Sequence, residues 1–448
     1  MANPALYTVF GCIDLHCSGF TNKKALIFPR KKKLHHFSFP TMLRQPLRQI
    51  RFHSKLALAG YNSKEVTVTI NGRTCTFNNV FLRDACQSPD SVDPISSQKL
   101  FTTADAATGL QINAPPVVED SSLKIQWSNN GKLTNSVYPV SFLENYSTNK
   151  RLGKFFDKDR KLWDKQELEN NFASLNMDYD DILTNDNSFF QTLYNLNRYG
   201  LTFVNNIPTP QISDMTEDNA TQWPVYKIAE KFGYIKKTFY GTLFDVKNKK
   251  EKATNIAYTN TFLPLHMDLL YYESPPGLQL LHAIQNSTLG GENIFCDSYL
   301  AAEHVRKTDP RAYTALTQTP ITFHYDNNNE YYYYKRPLIV EDPEVGDGFP
   351  KIASINYAPP FQGPFEVDPH PDFIRGMQLF ETFINDPANH FEIKMPEGTC
   401  VIFENRRALH SRNAFSDLNN GDRWLMGTYV DGDSFRSKLR IGYRKVHT

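Results

Sequence analysis

Two stretches of this sequence alternate polar residues with β-branched or aromatic ones on either side of a turn signal. The first begins at residue 65 and reads EVTVTINGRTCTFNNVFLRDAC; the second spans 123–143 and reads LKIQWSNNGKLTNSVYPVSFL. A period of two places successive side chains on opposite faces of a strand, and Asn-Gly favours the tight turn of a β-hairpin. We therefore predict a small β domain over residues 65–145.

Helical patterns follow this predicted domain. Residues 146–177 include a charged, helix-prone stretch and are expected to form a connector. An amphipathic helix ending at Gly200 then precedes a strand, and a second helix is predicted in MTEDNATQWPVYKIAEKFG, ending at Gly233. Glycine is the residue that most often ends a helix, which supports both boundaries.

The remaining sequence predicts short strands separated by turn residues, with helical insertions near 299–316 and 371–385. Two helices against a many-stranded antiparallel sheet are typical of a jelly-roll core. We expect residues 178–448 to form one mostly β domain with flanking helices. At 448 residues the chain is long enough for this domain and the small one.

The segment 1–64 is strongly basic, with eleven Lys or Arg residues and one acid, Asp14. Within 42–60, arginines and a lysine recur at three- and four-residue steps between leucines and an isoleucine. On a helix this gives a basic face beside an apolar face, which is typical of a mitochondrial presequence and predicts location in the matrix. The alternative is a disordered basic tail. Met42 opens the amphipathic piece and is a second candidate start of translation.

Charge and composition exclude several classes of protein. The formal net charge is +1, which argues against a general nucleic-acid binder. No run of about 18 apolar residues is present, so no membrane span is predicted. The six cysteines are scattered without a repeating spacing, a pattern that fits a reducing compartment better than a disulfide scaffold.

His266 and Asp268 lie two residues apart and would share one side of a strand. A non-haem Fe(II) oxygenase site needs two histidines and one carboxylate on one face. His410, at the end of an apolar strand, supplies the missing ligand, and Arg423 begins another predicted strand thirteen residues later. An arginine there would suit a dicarboxylate such as 2-oxoglutarate. The alternative for His266 is a hydrogen-bonded core histidine.

The sequence holds a second His-x-Asp pair, His370 and Asp372, so the pair alone decides nothing. That pair lies in a proline-bracketed loop without a following strand–His–Arg arrangement. His282, in LQLLHAIQ, is interpreted as a core histidine, and the Gly-Gly at 290–291 as a turn because no Lys-Ser/Thr follows it.

Several separate motifs resemble one enzyme family: NIAYTNTFLPLHMDLLYYESPPGLQLLH, GGENIFCDSY, FENRRALHSRNAF and DRWLMGTYVDGDSFRSKLR. They are similar to the γ-butyrobetaine and trimethyllysine dioxygenases of carnitine biosynthesis, of the fungal mitochondrial type. These enzymes form a branch of the taurine/2,4-D dioxygenase-like superfamily. The resemblance implies a double-stranded β-helix core and hydroxylation by Fe(II), 2-oxoglutarate and O2, with release of succinate and CO2. It also implies ascorbate as the reductant and a homodimer.

The same resemblance implies roles for individual residues. The iron ligands of the family correspond to His266, Asp268 and His410, and its 2-oxoglutarate contacts to Asn255 and Arg423.

A trimethylammonium group cannot donate a hydrogen bond, so aromatic faces hold it through cation–π attraction of about 0.5–2 kcal/mol per ring. The family's cage positions correspond to Tyr240, Phe244, Tyr258 and Tyr429, although ordinary packing is the alternative for each tyrosine. Phe244 stands where γ-butyrobetaine dioxygenases usually have tryptophan. Ala358 stands where they have an asparagine near the substrate carboxylate, which leaves the exact substrate open.

The function implied is hydroxylation of a trimethylammonium carboxylate, with γ-butyrobetaine, converted to L-carnitine, as the first candidate. Trimethyllysine is the second. A former dioxygenase retained as a scaffold or binding protein is the alternative of another class, but the ligand positions and Arg423 are all present, which favours an enzyme.

Related enzymes bind a structural zinc in the small domain through three closely spaced cysteines and a later histidine. Here FLRDACQSPDS keeps Cys86, whereas Ser88 and Ser91 occupy the other cysteine positions. No histidine lies between His53 and His266 to supply the fourth ligand. Because a closed structural zinc site needs four ligands, we expect this domain to hold no zinc.

Overall fold

The computed structural model describes residues 55–147, 159–247, 260–342, 351–416 and 421–447. Of the predicted presequence, residues 1–54 lie outside this range, as do the site candidates Asn255 and Tyr258. Within the described residues, no helix combines the length and apolarity needed to cross a membrane.

Residues 56–146 form the small β part of the chain. Its strands and helices are β1 (Leu56–Tyr61), β2 (Glu65–Ile70), β3 (Arg73–Asn78), α1 (Asn79–Asp84), α2 (Thr103–Ala107), β4 (Leu110–Ile112), β5 (Val117–Glu119), β6 (Ser122–Asn129), β7 (Lys132–Pro139) and α3 (Val140–Tyr146).

Both predicted hairpins of the small part are confirmed. The turn between β2 and β3 has Asn71 and Gly72 at φ of 50° and 82°, and the turn between β6 and β7 has Asn130 and Gly131 at 47° and 87°. Positive φ at two successive residues is what Asn-Gly provides in a tight hairpin turn. β1, which pairs with β2, lies inside the range 1–64 that was expected to be presequence. Strand structure is therefore present from Leu56, earlier than the boundary at residue 65 that the sequence predicts.

The larger part of the chain contains the remaining elements. They are α4 (Lys165–Asn171), β8 (Asn176–Asp178), α5 (Tyr179–Thr184), α6 (Asp186–Tyr199), β9 (Leu201–Asn205), α7 (Pro224–Phe232), β10 (Phe244–Lys247), β11 (Leu263–His266), β12 (Leu278–Asn286), β13 (Leu289–Gly290), β14 (Asn293–Asp297), α8 (Ser298–Thr308), α9 (Pro310–Gln318), β15 (Pro320–Asn327), β16 (Glu330–Pro337), β17 (Ile339–Glu341), β18 (Ile352–Ile355), α10 (Pro371–Ile384), β19 (Phe391–Ile393), β20 (Thr399–Glu404), β21 (Ala408–Arg412), β22 (Phe415–Ser416), β23 (Arg423–Val430) and α11 (Gly432–His447).

The predicted helices are present, with one difference. α6 ends at Gly200, whose φ of 76° is the left-handed conformation that glycine adopts without steric cost, and α8, α9 and α10 match the predicted insertions. The second predicted helix is instead two pieces, a 3₁₀ segment over Glu217–Gln222 and then α7. Pro224 explains the break, since a proline disfavours helical geometry at the preceding residue, and Trp223 is extended at ψ 135°.

Two sheets lie at the centre of the larger part. One has six strands in the order β10-β23-β12-β20-β9-β8, and the other has four in the order β11-β21-β14-β19. A single hydrophobic cluster joins their inward side chains, including Leu281 and Leu425 from the first sheet and Phe295 and Leu409 from the second. The two sheets therefore pack face to face.

The other face of the six-stranded sheet is covered by helices. Leu280 and Met426 belong to a second cluster with Leu196 of α6, Ile228 of α7 and Leu439 of α11. Neighbouring residues on β12 thus serve different cores, because side chains alternate between the two faces of a strand. This arrangement fixes which side chains of β12 and β23 point into the space between the sheets.

Candidate active site

Strand pairing places the two candidate histidine ligands side by side. His266 is the last residue of β11, and it lies directly opposite His410 of β21 in the antiparallel register. Their ring centroids are 4.2 Å apart, and both side chains are buried. Residues directly opposite each other on adjacent strands project to the same face of a sheet, which explains how positions 144 residues apart meet.

Asp268 completes this group from the segment just beyond β11. Its Oδ1 lies 3.3 Å from His266 Nε2 and 3.9 Å from His410 Nε2. Its Oδ2 accepts a 2.7 Å hydrogen bond from the Tyr429 hydroxyl. One donor atom from each of the three residues lies within 4.8 Å of the others. The structure therefore brings together all three predicted metal ligands.

The chemical forms of these side chains suit a divalent metal. His266 Nδ1 lies 2.7 Å from the Pro264 carbonyl oxygen, which can only accept, so Nδ1 carries a proton and Nε2 is the nitrogen that faces the other two candidate ligands. Burial lowers the pKa of His410 to about 3, which keeps the imidazole neutral. Burial acts to raise the pKa of Asp268, but the hydrogen bonds from His266 and Tyr429 and the charge that the two histidines carry when they are protonated outweigh it and hold that pKa below its usual range. Neutral imidazoles and an ionised carboxylate are the forms that bind metal.

Arg423, the first residue of β23, lines the same pocket as the three ligands. It is only 8% exposed, and burial, together with the nearby charge of Arg412, lowers its pKa to about 9. Among the described residues, its Nε–H has no hydrogen-bond acceptor. A buried guanidinium N–H without an acceptor is costly unless a ligand supplies one, so this end of the pocket suits an anion.

Three aromatic candidates line the pocket together. The Phe244 ring lies 5.0 Å from that of Tyr429 and 5.9 Å from that of Tyr240, measured between centroids. Phe244 pairs across the sheet with Gly427, where an added Cβ would lie 2.3 Å from the ring. Glycine at that position is therefore what allows the phenylalanine ring to lie flat against the sheet.

Residues 164–429 match the family model described as "Taurine catabolism dioxygenase TauD, TfdA family". The chain belongs to the TauD/TfdA dioxygenase family. This family confirms the predicted relationship to the taurine/2,4-D dioxygenase-like superfamily.

Individual relatives indicate which enzymes of the TauD/TfdA family this chain resembles. "Dioxygenase str8" of Strobilurus tenacellus is 36% identical over 370 residues, covering 81% of this chain and 84% of the relative. A "Gamma-butyrobetaine dioxygenase" of Pseudomonas sp. is 29% identical, covering 87% of this chain and 96% of the relative. A "Trimethyllysine dioxygenase" of Meyerozyma guilliermondii is 26% identical, covering 86% and 96% respectively. The predicted likeness to these two enzyme types is thus confirmed.

The pocket of this TauD/TfdA chain also contains residues that the sequence did not reveal. Each is less than 9% exposed, and they are Tyr271, Gln279, Asn293, Ser411 and Arg412. The Gln279 Oε1, Asn293 Nδ2 and Ser411 Oγ atoms are buried without a hydrogen-bond partner among the described residues. Buried polar atoms are normally paired, so these atoms are suited to contact a ligand. Alternation along β12 from Leu281 was the one signal that could have identified Gln279.

The two histidines that the sequence analysis did not assign to the metal site, His370 and His282, lie away from this pocket. The side chain of His370 is 70% exposed, and its Nδ1 accepts a hydrogen bond from the Asp372 backbone N–H at the start of α10. It acts as a helix cap. His282 is buried and lines a separate cleft on the outer side of β12. Near Ala358, it is Pro360 and Phe361 that line the pocket.

Proposed function

We propose that this chain is an Fe(II)- and 2-oxoglutarate-dependent dioxygenase that hydroxylates a trimethylammonium carboxylate, with γ-butyrobetaine as the first candidate. His266, Asp268 and His410 would hold the metal. Fe(II) in such a site supplies the activation of O2 that couples oxidative decarboxylation of 2-oxoglutarate to hydroxylation of a C–H bond. The observation that carries the proposal is the convergence of two imidazole Nε2 atoms and one carboxylate oxygen in a buried pocket.

The protein groups around the metal have separate tasks in this proposal. The Tyr429 hydroxyl holds Asp268 Oδ2, which directs Oδ1 toward the histidines. Arg423 would bind the far carboxylate of 2-oxoglutarate through its planar fork, with Asn255 as the second proposed contact. The apolar walls, including Leu263, Leu281 and Leu425, exclude water from the reacting groups.

The aromatic end of the pocket supports an onium substrate. Tyr240, Phe244 and Tyr429 offer three ring faces around one space, and Tyr258 is the fourth proposed member. Methyl groups on nitrogen spread the positive charge over a surface that aromatic rings attract. Relatives named for γ-butyrobetaine and for trimethyllysine support this substrate class, and trimethyllysine is the second candidate. The higher coverage and identity of the γ-butyrobetaine relative favour the first.

The proposal also covers the architecture of the core, the location in the cell, the reductant and the assembly. The two face-to-face sheets support a double-stranded β-helix core. The basic and apolar pattern of 42–60 supports import into the mitochondrial matrix. Ascorbate as reductant and a homodimeric assembly are proposed from the family resemblance alone.

Succinate formation tests the proposed reaction. Purified, Fe(II)-loaded protein is incubated with 2-oxoglutarate and either γ-butyrobetaine or trimethyllysine, and succinate and hydroxylated product are followed by mass spectrometry. We expect substrate-dependent succinate with γ-butyrobetaine in excess of that with trimethyllysine. The reverse ranking would assign trimethyllysine. Substrate-independent succinate alone would keep the dioxygenase and remove the trimethylammonium assignment, and no succinate at all would support the scaffold.

A further inference from the structure

The three metal ligands are held in place by different means. His266 and His410 are fixed by the register between β11 and β21. Asp268 lies beyond the end of β11 and belongs to no strand, so no sheet hydrogen bonds hold its backbone. A ligand in an irregular segment needs another constraint, because metal affinity depends on donor atoms being held in the geometry that binds.

A single side chain supplies that constraint to the Asp268 backbone. The Asp268 N–H donates to Asn405 Oδ1 at 2.8 Å, and Asn405 Nδ2 donates to the Asp268 carbonyl oxygen at 2.9 Å. One amide group thus pairs with both polar groups of one residue, as a neighbouring strand would do. Asn405 is fully buried, in the turn between β20 and β21, five residues before His410.

The same turn is anchored to a second segment. Asn405 Nδ2 also lies 3.3 Å from the Pro276 carbonyl oxygen, and the Asn405 N–H donates to the Gly277 carbonyl oxygen at 3.0 Å. These bonds attach the turn to the start of β12, whose next residues line the pocket. Asn405 therefore cannot move relative to the six-stranded sheet without losing several buried hydrogen bonds.

The residue after Asp268, Leu269, has a backbone conformation that leucine does not favour by itself. Leu269 has a φ of 57°, in the left-handed region that a leucine rarely adopts. It is buried in the pocket wall. Such a conformation persists only where surrounding contacts impose it. The hydrogen bonds of Asn405 to the Asp268 N–H and carbonyl oxygen are among these contacts, together with the hydrogen bond that the Leu269 carbonyl oxygen accepts from the Tyr272 N–H.

We propose that Asn405 is a positioning residue that fixes Asp268 as a metal ligand, doing for the carboxylate what strand pairing does for the two histidines. The proposal rests on the metal site of the proposed function. It predicts that the loss of Asn405 weakens metal binding through Asp268 and through no other ligand.

Metal titration of the apoprotein tests this role without any turnover. Co(II), whose visible spectrum reports its coordination, is titrated anaerobically alongside Fe(II). We expect Asn405→Ala to lower the Co(II) affinity by about 10- to 100-fold, the usual effect of removing a group that orients a metal ligand. Asn405→Asp keeps the size and the acceptor but places a charge beside the Asp268 carbonyl oxygen. It is expected to lower the affinity as well, and it serves where the alanine variant does not fold.

A double-mutant cycle separates positioning from general loosening. In an Asp268→Ala background the carboxylate is absent and the two histidines bind Co(II) only weakly, so the titration is extended to high Co(II) concentrations. Adding Asn405→Ala there should change the remaining Co(II) affinity by less than about twofold. A further tenfold loss in that background would overturn the proposal.

Asn195→Ala is the matched control. Asn195 is a buried asparagine of α6 whose side chain bonds the Ser174 carbonyl oxygen and Gln191, away from the metal ligands. It should lower stability and leave Co(II) affinity unchanged; an equal loss of affinity in this variant would contradict a specific role for Asn405. Unmodified protein that binds neither Co(II) nor Fe(II) would refute the metal site itself. Tight binding that Asn405→Ala leaves unchanged would refute only the positioning role.

Discussion

Two clusters among the described residues lie where the sequence raised the question of a metal site, and they differ in whether their polar atoms have hydrogen-bond partners. In the small part, Cys86 Sγ lies 3.2 Å from Ser88 Oγ, which donates to Ser91 Oγ at 3.3 Å. Arg83 Nη1 donates to the same Ser91 hydroxyl at 3.3 Å. We call these four residues the serine cluster. Its members satisfy one another, and the pKa of the Cys86 thiol is lowered: burial opposes this, but hydrogen bonds from the surrounding serine hydroxyls outweigh it.

The pocket of the larger part is the opposite case. Its Gln279 Oε1, Asn293 Nδ2, Ser411 Oγ and Arg423 Nε atoms have no partner among the described residues. The first cluster is complete without a ligand, whereas the second carries unpaired groups that a ligand would satisfy. This difference separates a structural role from a binding role more clearly than the residue types do, since Cys, His and Asp occur in metal sites of both kinds.

The largest effect is expected from removing one ligand of the pocket. His266→Ala takes away one of three donors and should abolish stoichiometric iron binding and turnover together, because the facial geometry is lost. Metal analysis and succinate formation are the measurements. His370→Ala is the control, since this exposed residue belongs to the other His-x-Asp pair, and it should retain both iron and activity. Iron retained at one equivalent by His266→Ala would show that the pocket is not the metal site.

The next largest effect concerns the anionic cosubstrate. Arg423→Ala removes charge-assisted hydrogen bonds of about 2–3 kcal/mol, so the KM for 2-oxoglutarate should rise about 30- to 150-fold with iron binding kept. Steady-state kinetics and metal analysis measure the two quantities separately. Arg375, a surface arginine paired with Asp309 and Asp372, provides the control, because Arg375→Ala should leave the KM unchanged. An unchanged KM in Arg423→Ala would mean that another basic residue binds the cosubstrate.

The serine cluster and the pocket also differ in how far the sequence predicted them. The Asn-Gly hairpins could be predicted because both residues that adopt positive φ are adjacent in sequence. β1 could not, because its strand character comes from pairing with β2 rather than from its own residues. The break before Pro224 was a local signal that periodicity alone concealed.

In the pocket, the spacing of His266 and Asp268 predicted two side chains on one side of a strand, which is wrong because β11 ends at His266, although the two side chains do meet. The structure adds the register that brings His410 opposite His266. Tyr429 was predicted as a cage residue, yet its hydroxyl bonds Asp268. The role of Asn405 was not predicted. Its side chain lies in a turn and bonds a backbone that is distant in sequence, and such a contact leaves no periodic signal. Such contacts depend on tertiary register and are visible only in the folded chain.

His282 provides a reference for the two clusters, because it is buried outside both of them. Its pKa shift therefore reports the effect of burial alone. Burial lowers its pKa to about 4, below the value of 6.5 expected when it is unfolded. The unfolded chain therefore binds a proton first as the pH falls, so the folded state should lose about 2 kcal/mol between pH 7.5 and 5 through this group. Denaturant unfolding at both pH values measures it. His282→Gln should remove that part of the pH dependence, and an equal pH dependence in the variant would contradict it.

A serine-to-alanine substitution in each cluster tests directly whether the serine hydroxyl there is hydrogen-bonded. Ser91→Ala leaves Arg83 Nη1 and the Ser88 hydroxyl without their partner, so it should lower the free energy of unfolding by about 1–3 kcal/mol. Ser411→Ala removes a buried hydroxyl that has no partner, so it should leave the apoprotein unchanged or slightly more stable. Urea unfolding of the two metal-free variants provides both values. Equal losses would mean that the pocket hydroxyl is satisfied and that the two clusters do not differ.

The smallest effect is expected from treatment with a zinc chelator, which should leave the stability of the small part unchanged. The serine cluster already satisfies Cys86, and Ser88 and Ser91 offer neutral hydroxyls where thiolates would be needed for a closed zinc site. Protein purified without added metal should contain iron and no tightly held zinc, and chelation should not change the unfolding of the small part. One equivalent of zinc that survives both chelation and His266→Ala would show that this domain holds metal after all.

Restoring thiolates makes that expectation sharper. Cys86 Sγ, Ser88 Oγ and Ser91 Oγ lie in a chain of contacts of 3.2 and 3.3 Å, so a Ser88→Cys/Ser91→Cys double variant would place three sulfur atoms together. Thiolates bind zinc far more tightly than serine hydroxyls do. We expect the double variant to bind zinc through its three thiolates, with water in the fourth position that no histidine supplies, and the unmodified protein to bind none, as measured by elemental analysis after dialysis. Because the loop geometry is common to both proteins, such a gain would assign the absence of zinc to the two serine side chains and not to the backbone around them.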